Sequence, residues 1–230
     1  MGHLFLVRHA TTAASAAGRN LGGRSDDSLT ADGERLAERL GQAIALELTG
    51  IAAGELRVVT SSARRCRDTA AAIADAVARP GRAVERHVDA ALLEIDYGAW
   101  DGLSPAECMQ RDPEVRAAWE ADPYAVATPG GESGADVAAR AFPALEALEG
   151  WLAAASGRVA IVVSHNHVIR LRLAALLGVP LRDYRRRLGV DAGSYSMVEI
   201  DRASADEPRQ ATVRRLGVVP FDSLVVKRES

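Results

Sequence analysis

Cysteine, lysine and long apolar runs are all scarce in this sequence, and each scarcity closes off a class of protein. Only two of the 230 residues are cysteine, Cys66 and Cys108. That is too few for a disulfide framework, and the spacing suits no paired metal ligands, so a reducing compartment is expected. Lys227 is the single lysine, so 27 of the 28 basic residues are arginine. The arginine fork suits bidentate contacts to phosphate or carboxylate, although an alanine-rich, lysine-poor composition is also what a GC-rich coding sequence produces. A formal net charge of −3 gives no support to a general nucleic-acid or anionic-membrane surface. No apolar run reaches transmembrane length, and no signal-peptide pattern precedes the first one. A phosphate-binding P-loop, a dinucleotide fingerprint and a Gly-x-Ser-x-Gly elbow are missing as well. What is there, with 48 % hydrophobic residues to build a core, reads as a soluble, cytoplasmic globular protein with neither nucleic acid nor membrane as partner.

Apolar and helical patterns alternate along the chain. Leu4 to Val7 reads as a buried strand. Thr11 to Ser28 is too long for a simple turn and is a candidate functional loop. Leu36, Leu40, Ile44 and Leu48 recur every fourth residue and mark a helix. Leu56 to Val59 is a second strand, and the hydroxyls of Thr60, Ser61 and Ser62 are expected to cap the alanine-rich helix that runs to Ala78. Ala83 to Ile95 reads as extended. Ser104-Pro105-Ala106-Glu107 has the form of a capping box with proline at the first helical position, opening a helical region broken near Asp112-Pro113. A glycine-rich loop from Thr128 to Ser133 leads into a long helix with Pro143 as a kink point. Val159 to Val163 is the strongest buried strand, followed by a helix from Val168 to Leu177. Ser194 to Ile200 and Ala211 to Leu216 read as two further strands joined by a polar loop. This alternation predicts an α/β three-layer sandwich, a mostly parallel sheet with helices on both faces. Residues 1–230 are expected to form one domain, with 103–131 as a small helical, cap-like insertion over the active site.

In open α/β sheets, ligands bind beyond the carboxyl ends of the strands. The first strand exits into Arg8-His9-Ala10-Thr11-Thr12, and the second into Ser61, Ser62 and the arginines 64, 65 and 67. The third extended segment exits into Glu94, and the next strand into Ser164-His165-Asn166-His167. A helix N-terminus is already partly positive, so three arginines in its first turn break a local rule. A bound anion would resolve the conflict; the alternative is arginines fanning into solvent or pairing with Asp68. His9 and His165, distant in sequence yet each ending an apolar strand, point to a shared site. His165 and His167 also form a His-x-His pair that could ligate a transition metal. No carboxylate or cysteine of suitable spacing completes such a set, and no metal is expected.

These residues carry a family resemblance. Leu6-Val7-Arg8-His9-Ala10-Thr11-Thr12 resembles the Arg-His-Gly signature of the histidine phosphatase superfamily, which includes the cofactor-dependent phosphoglycerate mutases. Gly23 to Thr30 with Gly33 resembles its glycine-to-Leu-Thr-x-x-Gly segment. Ser61 to Ala70 resembles its Ser-Pro-Leu-x-Arg-Ala-x-x-Thr-Ala stretch and puts the second arginine of the family at Arg65. Leu93-Glu94 with Tyr97 to Gly102 resembles the segment bearing the acid. Pro129 to Ser133 and Val163-Ser164-His165 complete six segments in the family's order. Ala10 stands where glycine is usual, Thr11 where glutamate is frequent, Ser15 where asparagine is often found, Ser62-Ala63 where Pro-Leu is, and Asn166 where glycine is. The departures bear on phosphate affinity and on the leaving group.

The resemblance implies a metal-independent phosphatase that hydrolyses a small phosphomonoester through a phosphohistidine, with no cofactor. His9 would attack phosphorus, while Arg8, Arg65 and a protonated His165 surround the equatorial oxygens with positive charge. Ser15, Gly23, Arg24 and Asn166 are the further phosphate-binding candidates. Two flanking arginines should lower the pKa of His9, and an acceptor on its other ring nitrogen would fix the tautomer. Glu94 is expected to protonate the leaving oxygen and then activate water, its pKa raised by Leu92, Leu93, Ile95 and Tyr97; Asp96 and Asp101 are rival carboxylates. Arg24, Tyr97, Trp100, Arg111, Arg116 and Trp119 are candidate wall residues. The alternatives are a cofactor-dependent phosphoglycerate mutase, although Glu94 to Gly102 resembles the phosphatase form, a metal-dependent hydrolase, and a non-catalytic phospholigand-binding protein. The expected partner is a small phosphorylated metabolite, and a homodimer is left open.

Overall fold

A computed structural model describes residues 1–51, 54–78, 83–201 and 210–220. Six strands form one sheet: β1 (Gly2–Arg8), β2 (Leu56–Thr60), β3 (Val84–Val88), β4 (Val159–Ser164), β5 (Tyr195–Ile200) and β6 (Ala211–Val218). Their order is β3-β2-β4-β1-β5-β6. The first four run parallel, and β5 and β6 add to the β1 edge in antiparallel sense. The helices are α1 (Ala13–Ala16), α2 (Ala31–Glu47), α3 (Arg64–Val77), α4 (Pro105–Arg111), α5 (Pro113–Ala121), α6 (Gly134–Ala154), α7 (Asn166–Leu177) and α8 (Tyr184–Arg187).

Side chains alternate across a strand, so a strand covered on both faces must be apolar throughout. Leu4 and Leu6 of β1 and Ala160 and Val162 of β4 turn toward the core that includes α6 and α7. Phe5 and Val7, with Ile161 and Val163, turn toward α2 and α3. The result is the expected three-layer sandwich. Among the described residues no helix is long and apolar enough to cross a membrane.

Three local expectations need correction. The cap of α3 is Ala63, with no side-chain bond. The Ser61 hydroxyl is engaged by His165 instead, and the Arg64 N–H donates to Asp26, a carboxylate from the long loop after β1. The segment read as extended to Ile95 is a strand only over Val84–Val88; the Asp89 carboxylate accepts from Ala91 N–H at 2.8 Å and starts a single 3-10 turn, Ala90–Leu92. The helix after β4 begins at Asn166, so the polar residues of the strand exit form its first turn. The polar loop expected between the last two strands lies largely outside the described residues. In the span 103–131, Ser104 and Glu107 form the capping box of α4, with Pro105 at its first position, and Asp112-Pro113 divides α4 from α5. Trp119 of α5 and Trp100 are fully buried and meet edge to face at 5.9 Å.

Candidate active site

Strand register brings the two histidines together. Arg8 pairs with Ser164 across the parallel β1–β4 ladder, so the next residue on each strand, His9 and His165, leaves the sheet from adjacent strands about 4.8 Å apart. Their ring centroids are 5.3 Å apart, inclined at 64°. Both rings are buried.

His9 Nδ1 donates to the Ala10 carbonyl at 2.8 Å, a bond that requires the proton on Nδ1 and leaves Nε2 with its lone pair. Burial, then the charges of Arg65 and Arg8, push the imidazole down to about 3. His165 accepts at Nδ1 from the Arg65 guanidinium at 3.2 Å, so its proton sits on Nε2, 2.8 Å from the Ser61 hydroxyl oxygen. Burial and Arg65 hold it well below the ordinary histidine range. In the free site burial, then Arg65, therefore favours the neutral His165 ring.

The arginine cluster at the start of α3 splits by role. Arg65 is fully buried; besides His165 it donates to the carbonyls of Ser25 and Gly22 at 2.7 and 3.2 Å, folding the long loop over the site. Arg64 is exposed and lies 3.5 Å from Asp68, the alternative weighed for the whole cluster. Arg8 donates to the Val190 carbonyl at 2.7 Å, while its Nε is buried with no partner among the described residues.

Glu94 is buried at the start of α7. Its carboxylate accepts from Ile95 N–H at 2.9 Å and from His167 N–H at 3.2 Å, with His167 Nδ1 at 3.4 Å. Burial works to raise this carboxyl, as the sequence suggested, but His167 and the Ile95 N–H outweigh it and bring it below the ordinary carboxylate range. The cause invisible in sequence is the His167 ring, which the first turn of α7 sets against Glu94. Arg140 of α6 fixes the backbone that carries Glu94, donating to the carbonyls of Ala91, Leu93 and Glu94 at 2.8, 2.7 and 3.0 Å while pairing with Glu132 at 2.9 Å. Glu132 in turn accepts from Asp96 N–H.

The remaining expected phosphate contacts are otherwise engaged, with one exception. The Ser15 hydroxyl closes a capping box with Thr12 and donates to its carbonyl. Gly23 N–H donates to Ile95 at 3.2 Å, and a Cβ there would stand 2.7 Å from the Glu94 carbonyl oxygen, so this loop can lie against the Glu94 segment only with glycine. Arg24 is exposed and pairs with Asp96 at 2.6 Å, and Asp101 accepts from Gly22 N–H and Ser25. Both rival carboxylates are thus occupied. Asn166 keeps a buried Oδ1 without a partner among the described residues. Arg111 is exposed, Trp100 is core, and Arg116 is buried against Glu120 and Trp119. The His165–His167 pair separates: His167 faces Glu94 and the rings of Tyr97, Trp119 and Tyr184. Among the described residues no group of three or more His, Cys, Asp or Glu is placed to hold a metal ion. Arg140 and the His167 amide leave no signal in the sequence, and Ser61 stands out there only as a strand-exit and capping hydroxyl, not as the partner of His165.

A profile described as histidine phosphatase superfamily (branch 1) matches residues 4–209. The chain is 33 % identical over 218 residues to a glucosyl-3-phosphoglycerate phosphatase of Mycolicibacterium vanbaalenii, covering 92 % of this chain and 90 % of that protein. It is 32 % identical over 200 residues to phosphoserine phosphatase 1 of Hydrogenobacter thermophilus, covering 86 % of each. The solved structure of a mycobacterial glucosyl-3-phosphoglycerate phosphatase superposes with a TM-score of 0.76 at 27 % identity, over 94 % of this chain and 98 % of that one.

Proposed function

Since the chain belongs to branch 1 of the histidine phosphatase superfamily, we propose that it is a phosphomonoester phosphatase working through a phosphohistidine at His9. Phosphoryl transfer needs positioning and positive charge more than covalent chemistry from the protein. Arg8 and Arg65 provide fixed charge around the equatorial oxygens, and His165 joins them as an arriving phosphate dianion raises its pKa. His9 Nε2 attacks in line: the N–P bond forms as the bond to the leaving oxygen breaks. Glu94, ionised in the free site, gains its proton when the negative substrate arrives and delivers it to that oxygen. The resulting carboxylate then takes a proton from water, whose oxygen displaces His9 and releases inorganic phosphate. No step requires a metal.

The same reading treats Arg8, His9, Arg65, Glu94 and His165 as the catalytic set, with Asn166 beside the phosphate. It treats the chain as one domain with 103–131 as a cap, and a small phosphorylated metabolite as the substrate. What carries it is the His9 ring, locked by Ala10 into the tautomer with a bare Nε2 and facing His165 at 5.3 Å. Replacing His9 with alanine is expected to lower kcat/KM toward any phosphomonoester by more than about 10³-fold, the scale on which loss of a nucleophile is felt. An unchanged rate would remove the proposal.

A further inference from the structure

Glu94 is ionised in the free site yet must be protonated when the leaving oxygen departs, and the structure sets one titratable ring against it. His167 follows His165 by two residues and lies in the first turn of α7. Its ring is buried, with Nδ1 3.4 Å from Glu94 Oε1, and its backbone N–H donates to the same carboxylate at 3.2 Å. A bare Nδ1 would set its lone pair against those of a carboxylate, so the ring proton lies on Nδ1 while Glu94 is ionised. Catalytic hydrogen bonds in a free site are often this long and tighten when substrate binds. Nε2 is buried without a partner among the described residues, so among them Glu94 is the one carboxylate placed to take a proton from the ring.

The other surroundings of the ring are aromatic or cationic. Tyr97 and Tyr184 meet it edge to face at 5.5 and 5.7 Å, and Trp119 of α5 lies 6.3 Å away. The Tyr97 hydroxyl is 3.5 Å from Nδ1, but burial, then Glu94, pushes that phenol up, so it carries no charge; burial acts likewise on Tyr184. Arg116, behind Trp119, is paired with Glu120. Burial disfavours a charged His167, Glu94 favours it, and Arg185 of α8 and Arg170 of α7 disfavour it again, leaving the ring below its ordinary range. From the phosphate cradle Arg8 acts on Glu94 as a fixed charge, while His165 is neutral in the free site. An apolar side chain would fill this aromatic pocket without the cost of desolvating an imidazole. A titratable ring kept there against a carboxylate is the kind of local conflict that gathers at functional sites.

We propose that Glu94 and His167 act as one acid, His167 holding on Nδ1 the proton that Glu94 passes to the leaving oxygen. The inference rests on the phosphatase reading and supplies the source of that proton. In the loaded free site the pair is imidazolium and carboxylate. A phosphate dianion arriving beside Glu94 penalises the carboxylate more than it favours the imidazolium behind it, because charge interactions weaken with distance. The Nδ1–H bond then breaks as an O–H bond forms on Glu94 Oε1, leaving two neutral groups, which a buried site tolerates better than two ions. His167 keeps its proton on Nε2. Glu94 gives its proton to the leaving oxygen, and in the second half-reaction takes one from the attacking water. That proton returns to Nδ1 as inorganic phosphate departs, so the pair is loaded for the next turnover without drawing a proton from solvent. His167 touches no reacting atom; it is a positioning residue that acts through Glu94.

The kcat/KM ratio of an alkyl to an aryl ester, 3-phosphoglycerate to p-nitrophenyl phosphate, isolates the acid, since only the alkyl leaving group needs a proton. Its pH dependence is followed in the wild type and in His167→Asn, whose amide can still donate to Glu94 but holds no transferable proton. The wild-type ratio is expected to fall as the pH rises through the value at which the pair gives up its proton. In the variant that midpoint should lie lower by about one pH unit or more, so that on the slope it trails the wild type by about tenfold, with the deficit shrinking toward low pH. Partial misfolding cancels, because the ratio is taken within one protein preparation. His167→Gln, closer to the ring in volume, gives the same reading where the first variant does not fold. A midpoint that stays in place, whether the ratio is unchanged or lowered by one factor at every pH, overturns the shared acid and leaves the phosphatase reading standing. His9-dependent hydrolysis of the aryl ester alone does the same. If neither ester is hydrolysed in a His9-dependent manner, the phosphatase reading falls and the pair falls with it.

Discussion

Lowering the pH from ~7 to ~5 probes the surroundings of His9 without any substrate. Its imidazole sits at about 3 in the fold against an ordinary value of 6.5, so in this interval the unfolded chain takes up a proton that the native state refuses. For a base whose native pKa is depressed, stability is full above the unfolded value and declines as the pH falls toward the native one. Proton linkage makes the loss between pH ~7 and ~5 about 2 kcal/mol from His9 alone, rising to about 5 kcal/mol below pH ~3. The first figure requires only that the native pKa lie well under 5. His165 and His167 are depressed by burial in the same direction, so the whole protein should lose more than this. Urea unfolding of the wild type and of His9→Asn at the two pH values isolates the contribution, since asparagine does not titrate. The wild type should lose about 2 kcal/mol more than the variant, equivalent to a Tm drop larger by about 6 °C for a chain of this size. Equal losses would mean that His9 protonates freely in the fold, and the buried, neutral nucleophile would have to be abandoned.

Other perturbations separate the roles within the site. Glu94→Gln should cut hydrolysis of alkyl phosphates by about 10²- to 10⁴-fold, the usual worth of a general acid. It should matter less for p-nitrophenyl phosphate, whose leaving group needs no proton; parallel losses would argue that Glu94 only shapes the site. Arg140→Met removes donors from three carbonyls and from Glu132. At about 1 kcal/mol net for each carbonyl bond in this part-buried setting, chemical denaturation should show a loss of about 2–4 kcal/mol, with kcat falling more for alkyl than for aryl phosphates. A stable variant with unaltered kcat would show that the clamp does not position Glu94. Isomerisation of 3-phosphoglycerate, with or without bisphosphoglycerate, should be much slower than its hydrolysis when product formation is followed by NMR; the reverse order would favour the mutase form.

The parts legible in the sequence were those fixed by local pattern or by strand ends. Val159 to Val163 is apolar at every position because both faces are covered, and the alternation of strands with helices led directly to the sandwich. The meeting of His9 and His165 followed from a general property of parallel sheets, that neighbouring strands deliver their exit residues side by side. What stayed hidden was long-range and polar. The first N–H of α3, at Arg64, finds its acceptor on Asp26, 38 residues upstream, so the nearby hydroxyls offered a false lead. Ser15 stands in register with Thr12 and closes a capping box with it. Glu94 has apolar neighbours in sequence, which argued for a raised pKa, whereas the side chain that reverses the direction is that of His167, 73 residues away. Arg140 lies on a helix face where an arginine ordinarily reads as solvated, and nothing local reveals its grip on the Glu94 segment.

The central claim is that the phosphoryl group rests on His9 between the two half-reactions. Mixing the enzyme with a ³²P-labelled phosphomonoester and quenching within milliseconds into alkaline detergent tests it most directly. The account predicts label bound to the protein that survives base, departs in acid as a phosphoramidate does, and maps to the peptide containing Arg8-His9-Ala10. Full turnover with no such label at any quench time, or label on another residue, would contradict it.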